Sequence, residues 1–180
     1  VNEFWTFDKN GKVQITHHKY KQYLEQNGFY KYYPDGSENF LFVKIEENIV
    51  DVTTVDRIKD FVLKDLYGRE SILPYEFMAS ATRYFKDDYL SFLDSANIDF
   101  KEDTQDTCVL YYKNFVIEVT EFGTRKIDYL DLDYYVWKKH IINRDFDETT
   151  FENCEFKRFV QLISGQDEKR FISFISVIGY

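Results

Sequence analysis

Tyr134-Tyr135-Val136-Trp137, then His140-Ile141-Ile142-Asn143-Arg144-Asp145-Phe146, then the run from Phe151 to Ile178-Gly179-Tyr180 carry the densest apolar pattern in the chain. An aromatic and aliphatic strand-like segment is followed there by two helical patterns, residues 151–164 and 167–178, joined by Gly165-Gln166. The second pattern carries its apolar residues as doublets: Phe171-Ile172, Phe174-Ile175 and Val177-Ile178. Such a stripe wraps much of a helix and needs cover on more than one side. Phe171, Phe174, Ile175 and Ile178 are therefore the residues expected to meet a partner, a neighbouring domain or a second copy of the chain. The helix runs to Gly179-Tyr180 with no polar cap, so the sequence reads as a piece of a longer polypeptide, in keeping with a first residue, Val1, that is not Met.

Upstream of that stretch the chemistry is mixed. Residues 108–112 and 115–120 alternate as a β-hairpin turning at Lys113-Asn114, Gly123-Thr124 supplies the next turn, and 126–130 is the following strand. The acidic, polar run 98–106 is the natural boundary between an N-terminal α+β subdomain, 1–97, and a C-terminal part, 98–180, made of the hairpin and the helical segment. In the N-terminal part, Phe4-Trp5-Thr6-Phe7 and Val13-Gln14-Ile15 read as paired short strands around a turn at Gly11. Thr16 caps a helix that stops at Asn27-Gly28, and 29–33, 40–45 and 49–52 read as strands. Thr53-x-x-Asp56 has capping-box spacing before a helix carrying Val55, Ile58, Val62 and Leu66 on one face and ending at Gly68. Pro74 suits the first turn of a helix over 75–86, and 89–93 continues it or begins a short helix. The fold class is α+β: helices with short antiparallel sheets and hairpins, two small subdomains and a C-terminal helical pair. A helix followed by a hairpin also allows a winged-helix reading of 1–97, although three helices usually precede a wing and one does here.

With 44% hydrophobic and 19% aromatic residues, 180 residues are ample for a packed core, which excludes a disordered chain. No apolar run is long enough for a bilayer and no signal peptide is evident, so the expected location is cytoplasmic, away from membranes. Cys108 and Cys154 match neither a zinc spacing nor a disulfide framework, and both are expected reduced and buried. A net charge of −9 argues against wrapping nucleic acid, because lysines and arginines must neutralise phosphates. A local basic face remains open at Lys19, Lys21 and Lys31, with Tyr32 able to stack an unpaired base in single-stranded or forked DNA; the plainer alternative is a solvated surface and ordinary core packing.

Catalytic signatures fail one by one. There is no phosphate-binding loop, no His-Glu-x-x-His and no Gly-x-Ser-x-Gly. The adjacent His17 and His18 do not make a ligand set with His140. Asp128, Asp131 and Asp133 resemble the acidic strand ends that hold Mg²⁺ in primases, and leave open a stand-alone nucleotidyl transferase, but no Ser-x-His follows to help bind a nucleotide. No catalytic residue, metal site or cofactor is expected.

Tyr135-Val136-Trp137 with Ile141-Ile142-x-Arg144-Asp145-Phe146, a Phe156-x-x-Phe159-Val160 helix, Arg170-Phe171 and Ile178-Gly179-Tyr180 together resemble the region just upstream of the helicase domain in phage and integrative-element primase-helicases of the poxvirus type, whose ATPase belongs to helicase superfamily three. The resemblance covers about 134–180 and extends weakly to Phe4-Trp5 and Asn27-Gly28-Phe29. It implies DNA replication in a phage or mobile element, and a non-catalytic accessory domain that assists assembly of the downstream ATPase of the same polypeptide. It also implies interdomain roles for Trp137 and Arg144, the arginine anchoring a carboxylate or reaching a neighbouring subunit.

Overall fold

The computed structural model describes residues 3–147 and 155–178, and the expected features at Phe151, Cys154 and Gly179-Tyr180 lie outside them. The fold is α+β. The chain forms two compact units dividing at Arg144 and Asp145.

The first unit opens with β1 (Trp5–Phe7) paired antiparallel to β2 (Val13–Ile15), then α1 (His17–Gln26). Next come β3 (Phe29–Tyr32), β4 (Leu41–Glu46) and β5 (Ile49–Val52), an antiparallel meander. The β4–β5 loop is the two residues Glu47 and Asn48, both at positive φ (50° and 64°), the mirror-image turn whose twist matches that of the strands. Asn48 also donates from Nδ2 to the carbonyls of Tyr129 and Leu132, each at 3.0 Å, so the turn is locked to a segment eighty residues away. After α2 (Val55–Gly68), α3 (Ile72–Ser80) and the short α4 (Asp87–Leu90) comes a second antiparallel meander, β6 (Thr107–Tyr111), β7 (Val116–Thr120) and β8 (Gly123–Ile127). Finally β9 (Val136–Trp137) returns to lie parallel to β5, giving a sheet of order β3-β4-β5-β9.

Three apolar clusters hold this unit. The largest gathers Phe4, Tyr20, Tyr23 and Leu24 with Ile58, Val62 and Leu66 of α2, whose i, i+4, i+8 spacing puts all three on one fully buried stripe. Each such burial contributes about 1.5–3 kcal/mol. The second sits under the β6–β8 sheet (Val109, Val116, Tyr129, Leu132, Tyr134, Val136), and the third joins Val43, Val50 and Ile98.

Several local expectations shift. The cap of α2 is Thr54, whose Oγ1 accepts from the Arg57 amide at 3.4 Å, while Thr53 is buried. The helix expected over 75–86 stops at Ser80, whose hydroxyl donates to the carbonyls of Glu76 and Phe77; a 3₁₀ turn, Thr82–Phe85, follows. The last strand of the second meander begins at Gly123 rather than Lys126, because a two-residue turn at Glu121-Phe122 sets its register against β7. The acidic run 98–106 lies inside the first unit: Ile98 is buried and Phe100 bridges to Tyr135. Cys108 is exposed, not buried, since strand alternation sends Val109 inward and its neighbour out. No helix among the described residues is long and apolar enough to cross a membrane.

Tyrosines carry a large share of these clusters, and their titration is expected to weaken the fold at alkaline pH. Burial pushes Tyr89 and Tyr129 up to about 12, with Tyr84 and Tyr111 respectively adding to the effect, and also raises Tyr20 and Tyr23. An unfolded tyrosine ionises near about 10. The folded state therefore holds more protons than the unfolded one above that pH, so the contribution is intact below about pH 10 and is lost as pH rises toward about 12. Thermal melts at pH 9, 10.5 and 11.5 should show a falling midpoint, and Tyr129→Phe should flatten the fall; a midpoint constant across this range would contradict the assignment.

Candidate interaction site

The second unit is a helical hairpin of α5 (Glu155–Ile163) and α6 (Glu168–Ile178). In α5, Phe156, Phe159, Val160 and Ile163 fall at i, i+3, i+4 and i+7, one face of a helix. The turn is built from the backbone: Gly165 and Gln166 both take positive φ (68° and 63°), and the Gln166 amide returns to the Gln161 carbonyl at 3.1 Å. Asp167 then caps α6, its Oδ1 accepting from the Arg170 amide at 3.0 Å. Between the helices lies a groove of about 710 Å³ with Arg158, Leu162, Ser164, Asp167 and Phe171 on its walls.

Val160 and Ser164 are buried, yet most of the apolar surface is not. Phe156, Phe159, Leu162 and Ile163 on α5, and Ile172, Phe174 and Val177 on α6, are all exposed, Leu162 at 73% and Val177 at 77%. The two-residue spacing of Ile172 and Phe174 sets them on nearly opposite sides of α6, so apolar surface is left open on more than one side of the hairpin. Of the expected contact residues, α6 carries Phe171, Phe174 and Ile175, the first and last half-buried; the side chain of Ile178 lies outside the described residues.

Trp137 and Arg144 belong to the first unit. Trp137 stacks on Phe100 at 4.7 Å and 17°, with Tyr32 edge-on at 5.6 Å. The Arg144 guanidinium sits over the Tyr112 ring at 5.6 Å, and its carbonyl accepts from the Lys113 amide. Both residues have structural work within that unit.

Three of the expected nucleic-acid contacts, Lys21, Lys31 and Tyr32, are similarly engaged. Lys21 Nζ reaches Asp94 Oδ1 at 2.6 Å, a hydrogen bond that raises the lysine and lowers the aspartate from their ordinary values. Lys31 Nζ donates to the Ser91 carbonyl at 2.6 Å. These two lysines fasten one segment, residues 91–94, onto α1 and β3. Lys19 is half-buried on α1, and Tyr32 packs among Phe100 and Trp137.

The acidic trio does not assemble a metal site. Asp128, Asp131 and Asp133 are exposed around a 3₁₀ turn, where Asp128 caps the Leu130 amide at 3.2 Å. Among the described residues no group of three or more histidine, cysteine, aspartate or glutamate side chains is placed to hold a metal ion. His17 instead pairs its Nδ1 with the Tyr89 hydroxyl at 2.6 Å. The apolar doublets of the hairpin were visible in the sequence, although of Phe171, Phe174 and Ile175 only Phe174 is exposed; the engagement of Lys21 and Lys31 was not visible, because their partners lie 73 and 60 residues away. Compared with protein-family models, curated proteins and solved structures, the chain matches none.

Proposed function

We propose that the chain is a non-catalytic, cytoplasmic accessory domain of a phage or mobile-element replicative primase-helicase. In this reading the α5–α6 hairpin is the docking element for the superfamily-three ATPase domain of the same polypeptide, and the first unit is the scaffold that carries it. The observation behind it is the exposure of seven large apolar side chains on one helical hairpin. The resemblance across 134–180 supplies the identity of the partner. Self-association through the same surface and weak contact with single-stranded or forked DNA are secondary features, the latter salt-sensitive and limited by the net charge of −9.

Mixing the chain with that ATPase domain and sedimenting the mixture tests the reading. A complex is expected, weakened at least about tenfold by Phe159→Asp with Ile163→Asp, as for residues at the centre of an apolar interface. Equal affinity in the double variant would remove the hairpin from the interface.

The alternative, a primase-like nucleotidyl transferase centred on Asp128, Asp131 and Asp133, makes an opposite prediction. Incubation with ATP, Mg²⁺ or Mn²⁺ and a single-stranded template is expected to give no turnover above a heat-killed control, in the parent chain and in Asp131→Ala alike. Turnover abolished by Asp131→Ala would favour the enzyme.

A further inference from the structure

A cleft in the first unit, separate from the hairpin, has chemistry that the replication reading does not use. Its floor comes from the chain's own pairing. The extended segment after Asp94 bridges to β3 at Lys31 and Ser95, and to the strand leading into β9 at Phe100 and Tyr135. Phe100 is thereby stacked on Trp137, with Tyr32 edge-on to both rings at 6.0 and 5.6 Å. Beside this aromatic stack opens a cleft of about 600 Å³, a size typical of ligand sites. Tyr32, Tyr33 and Phe100 line it, Asp35, Asp99 and Glu102 stand around it, and among the described residues no lysine, arginine or histidine lines it.

That balance differs from the cleft beside β5. There Asp51 already meets Lys138 at 2.8 Å and Arg57 at 3.8 Å, and Lys44 pairs with Glu46. The carboxylates alone would be ordinary solvated surface in an acidic chain; the aromatic rings of Tyr32, Tyr33 and Phe100 lining the same cavity are what select an occupant. A phosphate-bearing ligand is repelled by three carboxylates. The carboxylates are also too dispersed to hold a metal ion. What fits both surfaces is an extended organic cation, whose flat or alkyl side lies on the rings while its charge faces the rim.

We infer that this cleft binds an arginine or lysine side chain presented by a basic peptide segment of a partner protein. The rings take the side chain, and Asp35, Asp99 and Glu102 take its charge and that of neighbouring basic residues. Tyr32 then serves a cationic partner rather than a nucleic-acid base.

Trp137 reports the event, because it stacks on Phe100 at the cleft while Trp5, the other tryptophan, is buried in a different cluster. The experiment titrates the whole chain with a blocked peptide containing three arginines and follows tryptophan fluorescence, with Trp5→Phe to isolate the signal. Neutralising Asp35→Asn, Asp99→Asn and Glu102→Gln together should weaken binding at least tenfold. Neutralising the exposed Asp60→Asn, Glu76→Gln and Glu121→Gln, an equal change in net charge, should alter it less than twofold. Phe100→Leu, checked for folding by its thermal melt, should also weaken binding. Equal losses in the two triple variants would show mere attraction to an acidic chain and overturn the proposal, as would tighter binding of a single-stranded oligonucleotide than of the peptide.

Discussion

Gly28→Ala is expected to be among the most damaging single substitutions in the first unit. Gly28 ends α1 at φ +84°, a conformation that costs an alanine about 1–2 kcal/mol. An added Cβ would also overlap the Ile45 carbonyl oxygen, backbone that cannot swing aside as a side chain can. The same two residues share the hydrogen bond from the Ile45 amide to the Gly28 carbonyl at 2.8 Å, so relieving the overlap pulls β4 from β3. Overpacking of this kind adds about 1–3 kcal/mol. Chemical denaturation should show a loss of about 2–5 kcal/mol, the sum of the two ranges. A loss below about 1 kcal/mol would mean that the helix end and strand can separate freely.

Phe4→Ala should cost a similar amount by a different route. Phe4 is fully buried, with ring centres 4.9 Å from Trp5, 5.0 Å from Tyr20 and 4.6 Å from Tyr23. Its carbonyl also accepts from the Thr16 amide and joins β1 to the start of α1. Removing the ring leaves a cavity among stiff aromatic neighbours that collapse poorly, at about 3–5 kcal/mol. The melting midpoint should fall by roughly 6–20 °C, taking about 2–4 °C for each kcal/mol in a domain of this size. A fall of only a degree or two would show that the cluster refills the space.

Both positions illustrate which parts of the structure were legible in sequence. Asn27-Gly28 marked the helix stop because glycine chemistry is local, and the periodicity of Ile58, Val62 and Leu66 marked α2 for the same reason. The hairpin at Lys113-Asn114 and the first two strands were also local patterns. Features that depend on distant pairing were hidden. The strand at Val136 was legible as a strand, but nothing nearby says that it lies parallel to β5 across most of the unit. The acidic run 98–106 looked like a boundary because its composition is polar, yet its start is held by buried Ile98, by the bridge of Phe100 to Tyr135 and by the Asp99 carbonyl, which accepts from the Tyr135 amide. α3 ends at Ser80, whose hydroxyl turns back on the carbonyls of Glu76 and Phe77, where the apolar pattern alone ran on. For Cys108, alternation with Val109 was sufficient to place the thiol outward, and the general preference of free cysteine for the interior misled.

The hairpin itself was legible as an excess of apolar residues over what one helix can bury, and this excess carries the proposed role. The most direct measurement is amide hydrogen exchange over 155–178, recorded for the chain alone and with the superfamily-three ATPase domain added. Slower exchange across α5 and α6 in the mixture is the predicted result, with Phe159→Asp and Ile163→Asp abolishing the change. A complex that forms while exchange in 155–178 stays the same, or no complex at all, would contradict it.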